Sequence, residues 1–313
     1  GLHTGMIYEN TRIAAATSLG SFRSFAFARA ASEAGAVLAT YTEAVAPLVS
    51  AGRIRGIRAV DLESGSSLEI AARLTINAAG AHACEWARAF GAPLDYPLIR
   101  AMNIVTRREA GGISLGAPTT DGRLLLLMPW MGRAMIGTSH SAEPVGPGAV
   151  SVPPQDLAAF LLEANRAFPG LELTEDDVTM VHRGVVPARR DRHGRLGLLG
   201  HHVVRDHARD GVEGAVTVVG VKYTTARGVA EQVVDLAQAK LGVRVSPCFT
   251  GAVRLPGWTF ESRDAEAADA RARSGGALPP ECVDAIVEMY GTAWREIVDL
   301  CRADAALAAP LSG

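Results

Sequence analysis

The chain has 313 residues, with 31 basic and 33 acidic side chains and a formal net charge of −2. So even a balance gives no electrostatic footprint for nucleic acid. An apolar share of 48%, with 33 Gly and 16 Pro, excludes a disordered chain and fits one large domain or two smaller ones. Of the basic residues only Lys222 and Lys240 are lysines. The four cysteines, Cys84, Cys248, Cys282 and Cys301, form no CxxC pair, which argues against a zinc or iron–sulfur site and against a disulfide framework. No run approaches the roughly 18 apolar residues of a membrane span, and no signal peptide is evident; a cytoplasmic protein is expected. Neither Gly-x-Gly-x-x-Gly nor Gly-x-x-x-x-Gly-Lys-Ser/Thr occurs in the chain.

In chain order, 18–35 reads as a helix with Phe22, Phe25, Phe27, Ala28 and Ala31 on an apolar face and Gly35 as its stop. Strands are expected at 36–44, 53–61 and 68–77, the last two joined by the turn Glu63-Ser64-Gly65-Ser66. The third runs into Ala78-Ala79-Gly80 and a short helix from His82 to Phe90. A strand-rich stretch follows, at 98–107, 123–129 and 134–138, with Trp130-Met131-Gly132-Arg133 turning a hairpin. After a Pro/Gly-rich loop at 141–153, a helix is expected over 155–168, with Leu157, Phe160, Leu161 and Ala164 on one face. Strands at 178–186, 196–199 and 215–219 precede a helix over 223–241. A composition shift near 250 marks a domain boundary, and 261–306 reads as all helical.

Two segments point to chemistry. Gly220-Val221-Lys222-Tyr223-Thr224-Thr225-Ala226-Arg227 takes a β-run into a helix start, whose free N–H groups and partial positive charge suit an anion or an electron-rich ring edge. Lys222 adds a mobile cation there, and Thr224 and Thr225 can cap or donate. An ordinary capped strand–turn–helix explains the same residues. Asn77-Ala78-Ala79-Gly80 ends a strand in small residues that let a cofactor approach the backbone; tight strand–helix packing is the alternative. His182, His193, His201, His202 and His207 cluster in sequence without metal-ligand spacing, and Asp206 could orient His207 or simply pair with it at the surface.

Taken in this order, the pieces resemble FAD-dependent glycerol-3-phosphate dehydrogenases of the D-amino-acid-oxidase-like superfamily. That family's flavin turn, Gly-Gly-Lys-Leu-Thr-Thr-Tyr-Arg, is similar to Gly220–Arg227. Its Asn-Ala-Ala/Thr-Gly-Pro-Trp is similar to Asn77–Gly80 with Trp86, and its Pro-Trp…Ile-Gly-Thr-Thr-Asp hairpin to Pro129-Trp130…Ile136–His140. Asp206-His207…Asp210-Gly211-Val212…Gly214 resembles the run that precedes the flavin turn, and Tyr290-Gly291-Thr292 begins a likeness to the family's helical C-terminal domain.

The resemblance implies an α/β (α+β) fold: a partial FAD-binding Rossmann-like domain over 1–250, including an antiparallel substrate-binding sheet at about 95–190, and a small helical domain over 251–313. It implies FAD as cofactor and oxidation of sn-glycerol 3-phosphate to dihydroxyacetone phosphate, a base taking the hydroxyl proton and the flavin the hydride. A quinone or another acceptor would take the electrons, and the protein would be cytoplasmic or peripheral on the cytoplasmic membrane. Lys222 is the catalytic candidate. Ala44, Ala79, Gly80, Gly220, Val221, Lys222, Tyr223, Thr224 and Thr225 are the expected cofactor contacts, and Arg183, Arg189 and His140 the substrate candidates.

Two departures stand out. The family's Gly-Val-Arg-Pro, whose arginine meets the substrate phosphate, aligns with Gly184-Val185-Val186-Pro187, which leaves open another hydroxy-acid or amine substrate. The family's N-terminal Gly-rich unit is not in this sequence, so the expectation is a fragment, or a split half whose partner chain supplies the rest.

Overall fold

A computed structural model describes residues 20–112, 114–220, 222–243 and 247–309. These divide into two compact units, one of Thr40–Cys248 and one of 20–39 with 249–309.

In the first unit, β1 (Thr42–Ser50), β2 (Arg53–Asp61) and β3 (Ser67–Ala71) form an antiparallel meander. β1 starts well after the strand expected at 36–44. Tyr41 has φ +54°, so the chain turns there, and Ala51 and Gly52 (φ +47° and +71°) close the β1–β2 hairpin. The strand expected over 68–77 is two strands. β3 pairs with β2, whereas β4 (Thr75–Asn77) leaves that partner and pairs in parallel with β12 (Ala215–Val219), which β11 (Val203–Asp206) flanks on its other side. β4 is followed by a 3-10 turn at Gly80–His82 and helix α2 (Ala83–Ala89). β12 is followed by a 3-10 turn at Tyr223–Thr225 and helix α4 (Ala226–Leu241).

Between these parts of the chain lies a six-stranded antiparallel sheet. Its strands are β5 (Leu98–Thr106), β6 (Leu115–Pro118), β7 (Leu124–Trp130), β8 (Arg133–His140), β9 (Val178–Arg190) and β10 (Leu196–Leu198), in the order β10-β9-β5-β8-β7-β6. Neither β6 nor β11 was expected from the sequence; both are four residues long and lack a clear alternation. Helix α3 (Pro154–Ala167) covers one face of the sheet. Pro154 opens the helix, where its missing N–H costs nothing. Phe160, Leu161 and Ala164 then fall at helical spacing against Ile104, Leu127 and Ile136. The Asn165 amide donates to the Leu173 carbonyl and accepts from its N–H, at 2.8 and 2.7 Å, which fixes the return to β9.

In the second unit, α1 (Gly20–Glu33) buries Ala26; of the expected apolar face Phe25 and Phe27 are exposed, Ala28 and Ala31 are half-buried, and the Phe22 side chain lies outside the described residues. Helices α5 (Arg263–Ser274), α6 (Pro280–Tyr290) and α7 (Trp294–Ala303) close around buried Trp294. Its indole N–H donates to Glu266 at 2.6 Å, so the largest core side chain leaves no orphan donor. Hydrogen bonding to Trp294 holds the Glu266 carboxyl below its ordinary range. Among the described residues no helix is long and apolar enough to cross a membrane.

Candidate functional site

β4 and β12 run parallel and end side by side, with Thr75, Ile76 and Asn77 opposite Ala215, Val216 and Thr217. Ligands in α/β proteins bind beyond the carboxyl ends of such strands, where the following helices begin. The two motifs singled out in the sequence, Asn77–Gly80 and Gly220–Thr225, continue from these two ends.

Asn77 is buried and braces the first of them. Its Oδ1 accepts from the Ala79 N–H at 3.2 Å, while Nδ2 donates to the Ala83 carbonyl at 2.9 Å and to Thr217 Oγ1 at 3.0 Å. One amide thus holds the turn, the start of α2 and the neighbouring strand. Gly80 has φ +58°, and a Cβ there would meet nothing within 4 Å, so the turn is conformationally demanding yet open. Ala79 and Ala44 line a cavity of about 600 Å³ with Glu43, Val45, His82, Glu85, Trp86 and Ala89. The structure therefore brings Ala44, from β1, to the turn after β4. The His82–Glu85 pair at its rim (Nδ1 to Oε2, 2.7 Å) is exposed.

At the second end Gly220 is exposed and open, and Val221 lies outside the described residues. Lys222 is extended (φ −136°, ψ 122°) and exposed, and its ammonium has no ion-pair partner among the described residues. Lys240 contrasts with it, being half-buried and bound to Asp206 at 2.8 and 3.0 Å. Of the two roles open to the threonines, capping is not taken up at α4. Thr225 turns its hydroxyl back onto the Lys222 carbonyl at 3.1 Å, and Thr224 makes no capping bond. The Thr225 N–H also turns back, donating to the Lys222 carbonyl at 3.2 Å, and the Ala226 N–H donates to the Tyr223 carbonyl, so this turn closes on itself through backbone bonds. Tyr223 is exposed there.

The substrate candidates lie elsewhere. His140, at the end of β8, lines a second cavity of about 520 Å³ between the sheet and α3, with Arg100, Asp156 and Glu163. Burial lowers its pKa, and the nearby Arg123 adds to this. Arg183 and Arg189 are exposed on β9 and line neither cavity. Val186, half-buried on the same strand, stands opposite Ile99. A feature not read from the sequence is the pair Trp130 and His182, packed edge to face at 5.3 Å from β7 and β9.

Buried His207 follows β11, with Nε2 2.7 Å from Thr217 Oγ1 and Nδ1 3.5 Å from Asp210 Oδ2. Asp206 does not orient it; that carboxylate belongs to Lys240 and to the Ala208 N–H. Burial lowers the His207 pKa against the opposing pull of Asp210. Below about pH 6.5 the unfolded chain takes up a proton that folded His207 refuses. Stability is therefore full above that pH and is lost as pH falls through the window down to the lowered folded value. The loss approaches about 1.4 kcal/mol per pH unit for one proton. Urea unfolding midpoints measured from pH 7.5 to 5 check this; a flat profile contradicts it.

Comparison with known proteins matches residues 25–236 to the model of the FAD dependent oxidoreductase family, DAO. Among curated relatives, glycerol-3-phosphate dehydrogenase of Synechocystis sp. is 29% identical over 181 residues, 58% of this chain and 32% of that protein. A probable glycerol-3-phosphate dehydrogenase of Encephalitozoon cuniculi is 27% identical over 268 residues, 82% of this chain and 42% of its own. The X-ray structure of glycerol-3-phosphate dehydrogenase from Bacillus halodurans complexed with FAD superposes with a TM-score of 0.71 at 23% identity, over 86% of this chain and 53% of that one. L-proline dehydrogenase from P. horikoshii shares the fold at a TM-score of 0.52 and 18% identity, over 71% of this chain and 56% of that one. The chain thus spans about a third to a half of the length of these curated relatives.

Proposed function

Because the chain belongs to the FAD dependent oxidoreductase family, we propose that the ends of β4 and β12 hold FAD and that the protein oxidises sn-glycerol 3-phosphate to dihydroxyacetone phosphate. The observation that carries this reading is the pair of adjacent parallel strand ends, one closed by small residues at a cavity, the other by an exposed lysine just ahead of a helix start. The fit follows from the donors present. Ala44 and Ala79 leave room for a flat group against the backbone, with Trp86 as an apolar wall, and the space beside Gly80 is open. Glu43 and Glu85 at the rim suit sugar hydroxyls, not phosphates, because a carboxylate accepts and repels anions.

FAD when bound supplies a two-electron acceptor. The chain's own part is to position and to balance charge. Lys222 offers a mobile ammonium where negative charge develops on an alcohol oxygen as its proton leaves. The partial positive charge at the start of α4 favours an electron-rich edge or an anion. A small-molecule substrate and a quinone or other electron acceptor complete this reading. So does the division into a flavin-binding part ending near residue 250 and a helical part that takes 249–309 together with 20–39.

Anaerobic addition of glycerol 3-phosphate to the FAD-loaded protein tests it. Bleaching of the flavin absorbance supports the assignment, and failure to bind FAD overturns the site. A second reading, another hydroxy acid or an amine as substrate, is favoured by Val186, which cannot bind phosphate. Bleaching by such a compound and not by the phosphate ester would establish that one instead. If glycerol 3-phosphate is the substrate, Val186→Arg is expected to lower its KM about tenfold or more. A hydrogen bond to a charged group contributes about 1.5–3 kcal/mol. An unchanged KM in steady-state assays argues against a phosphate beside β9.

A further inference from the structure

The Asn77 amide can be oriented in one way only. A backbone N–H, that of Ala79, must face its oxygen, and a backbone carbonyl, that of Ala83, must face its nitrogen. Nδ2 therefore donates its remaining proton to Thr217 Oγ1 at 3.0 Å. The Thr217 side chain is fully buried and has a single proton of its own, and the acceptor within reach is His207 Nε2 at 2.7 Å. If that nitrogen carries a lone pair, the ring proton sits on Nδ1, which is buried without a hydrogen bond and lies 3.5 Å from the Asp210 carboxylate. Asp210 is itself held by Arg205, whose Nε donates to Oδ2 at 2.8 Å. Phe90 closes the other side of the ring, edge-on at 5.8 Å. The remaining charged neighbour is Asp206, held by Lys240.

We propose that His207, as the neutral Nδ1–H tautomer, is a positioning residue for the cofactor site. It fixes the Thr217 hydroxyl so that Asn77 can brace the Ala78–Gly80 turn. The inference rests on the reading of that turn as the FAD site. The direction of the relay matters. With both ring nitrogens protonated, Nε2–H would point at Thr217 Oγ1, and the Thr217 proton would be left buried with no acceptor, a cost borne by the Asn77 brace. The link spans 140 residues of sequence between Asn77 and Thr217, and it ties together the two strand ends that the site needs.

The test compares His207→Gln, His207→Phe and Thr217→Val with the parent chain. A Gln amide oxygen takes the place of Nε2 and still accepts from Thr217; Phe cannot. Long-range ¹H–¹⁵N correlation of the parent's imidazoles should show His207, identified by its disappearance in His207→Gln, as the Nδ1–H form. Amide exchange at Ala79 should quicken about tenfold or more in His207→Phe and Thr217→Val, the scale of one net hydrogen bond. It should stay within about twofold in His207→Gln, with exchange in β8 and α3 unchanged throughout. The FAD dissociation constant from absorbance titration should rise about tenfold in His207→Phe and recover in His207→Gln. An Nε2–H tautomer, uniform quickening across the unit, or a His207→Gln variant as impaired as His207→Phe would overturn the proposal. If the parent binds no FAD, the cofactor reading fails, while the tautomer and the Ala79 exchange still decide the relay.

Discussion

Alanine at position 214 is expected to lower the melting temperature by roughly 10 °C, about 3–4 kcal/mol in a unit of this size. Gly214 is buried with φ +83°, and a Cβ there would lie 2.2 Å from the Ile54 carbonyl oxygen. The obstacle is backbone, and it is held in place. The Ile54 N–H donates to the Glu213 carbonyl at 2.8 Å and the Thr75 N–H to the Gly214 carbonyl at 2.9 Å, so two successive residues stitch β2, β4 and the start of β12 together. A left-handed conformation costs a residue with a Cβ about 1–2 kcal/mol, and forcing apart packed backbone adds about 1–3. Gly211 provides the control. Its φ is +79°, and a Cβ there would meet nothing within 4 Å, so Gly211→Ala carries the conformational cost alone. Thermal melts of the two variants check the argument, and equal shifts would refute it.

Gly214 also shows what was legible in the sequence. The run Asp206–Gly214 was noticeable as a motif, and β12 after it was placed with its observed bounds, because five consecutive Ala, Val and Thr residues describe a buried strand. What the motif is for was not legible. Its histidine acts on a threonine ten residues away and its glycine on a carbonyl far back in the chain. No local pattern encodes either. The same holds for 68–77. Leu68 and Ile70 alternate as a strand should, and nothing local says that the chain must then leave β2 and cross to β12. The β1 boundary slipped for a different reason, since Tyr41 and Ala51 both take left-handed turns that their residue types do not advertise. At the site, Asn77–Gly80 and Gly220–Thr225 could be picked out because glycines and small residues at strand ends are unusual. Their adjacency, and the burial of Asn77 and Thr217 that locks it, emerged only with the parallel pairing. The sequence left Thr224 and Thr225 open between capping and donating, because a threonine ahead of a helix suits either role, and the structure shows no side-chain cap at α4.

Removing the Lys222 side chain is expected to reduce kcat/KM about 10²–10³-fold, the range measured when one preorganised donor to a developing oxyanion is lost. The two lysines separate the roles a cation can play. Lys240 is half-buried, pinned between Asp206 and Glu213, and its charge is used up in holding α4 against β11. Lys222 sits exposed on extended backbone just past the end of β12, with no ion-pair partner among the described residues. Folding gains little from such a group, so Lys222→Ala should melt within about 0.5 kcal/mol of the parent. A large kinetic loss without a stability loss would then mark the ammonium as acting on substrate or cofactor. Lys222→Arg keeps the charge but spreads it over a planar fork of different reach, and should recover the rate only in part. Rapid mixing of the FAD-loaded variants with substrate isolates flavin reduction from reoxidation by the acceptor, which is where the deficit should lie. If Lys222→Ala reduces its flavin within about threefold of the parent rate, the cation belongs to the surface, and the charge balance at the β12 end must come from the partial positive charge at the start of α4 alone.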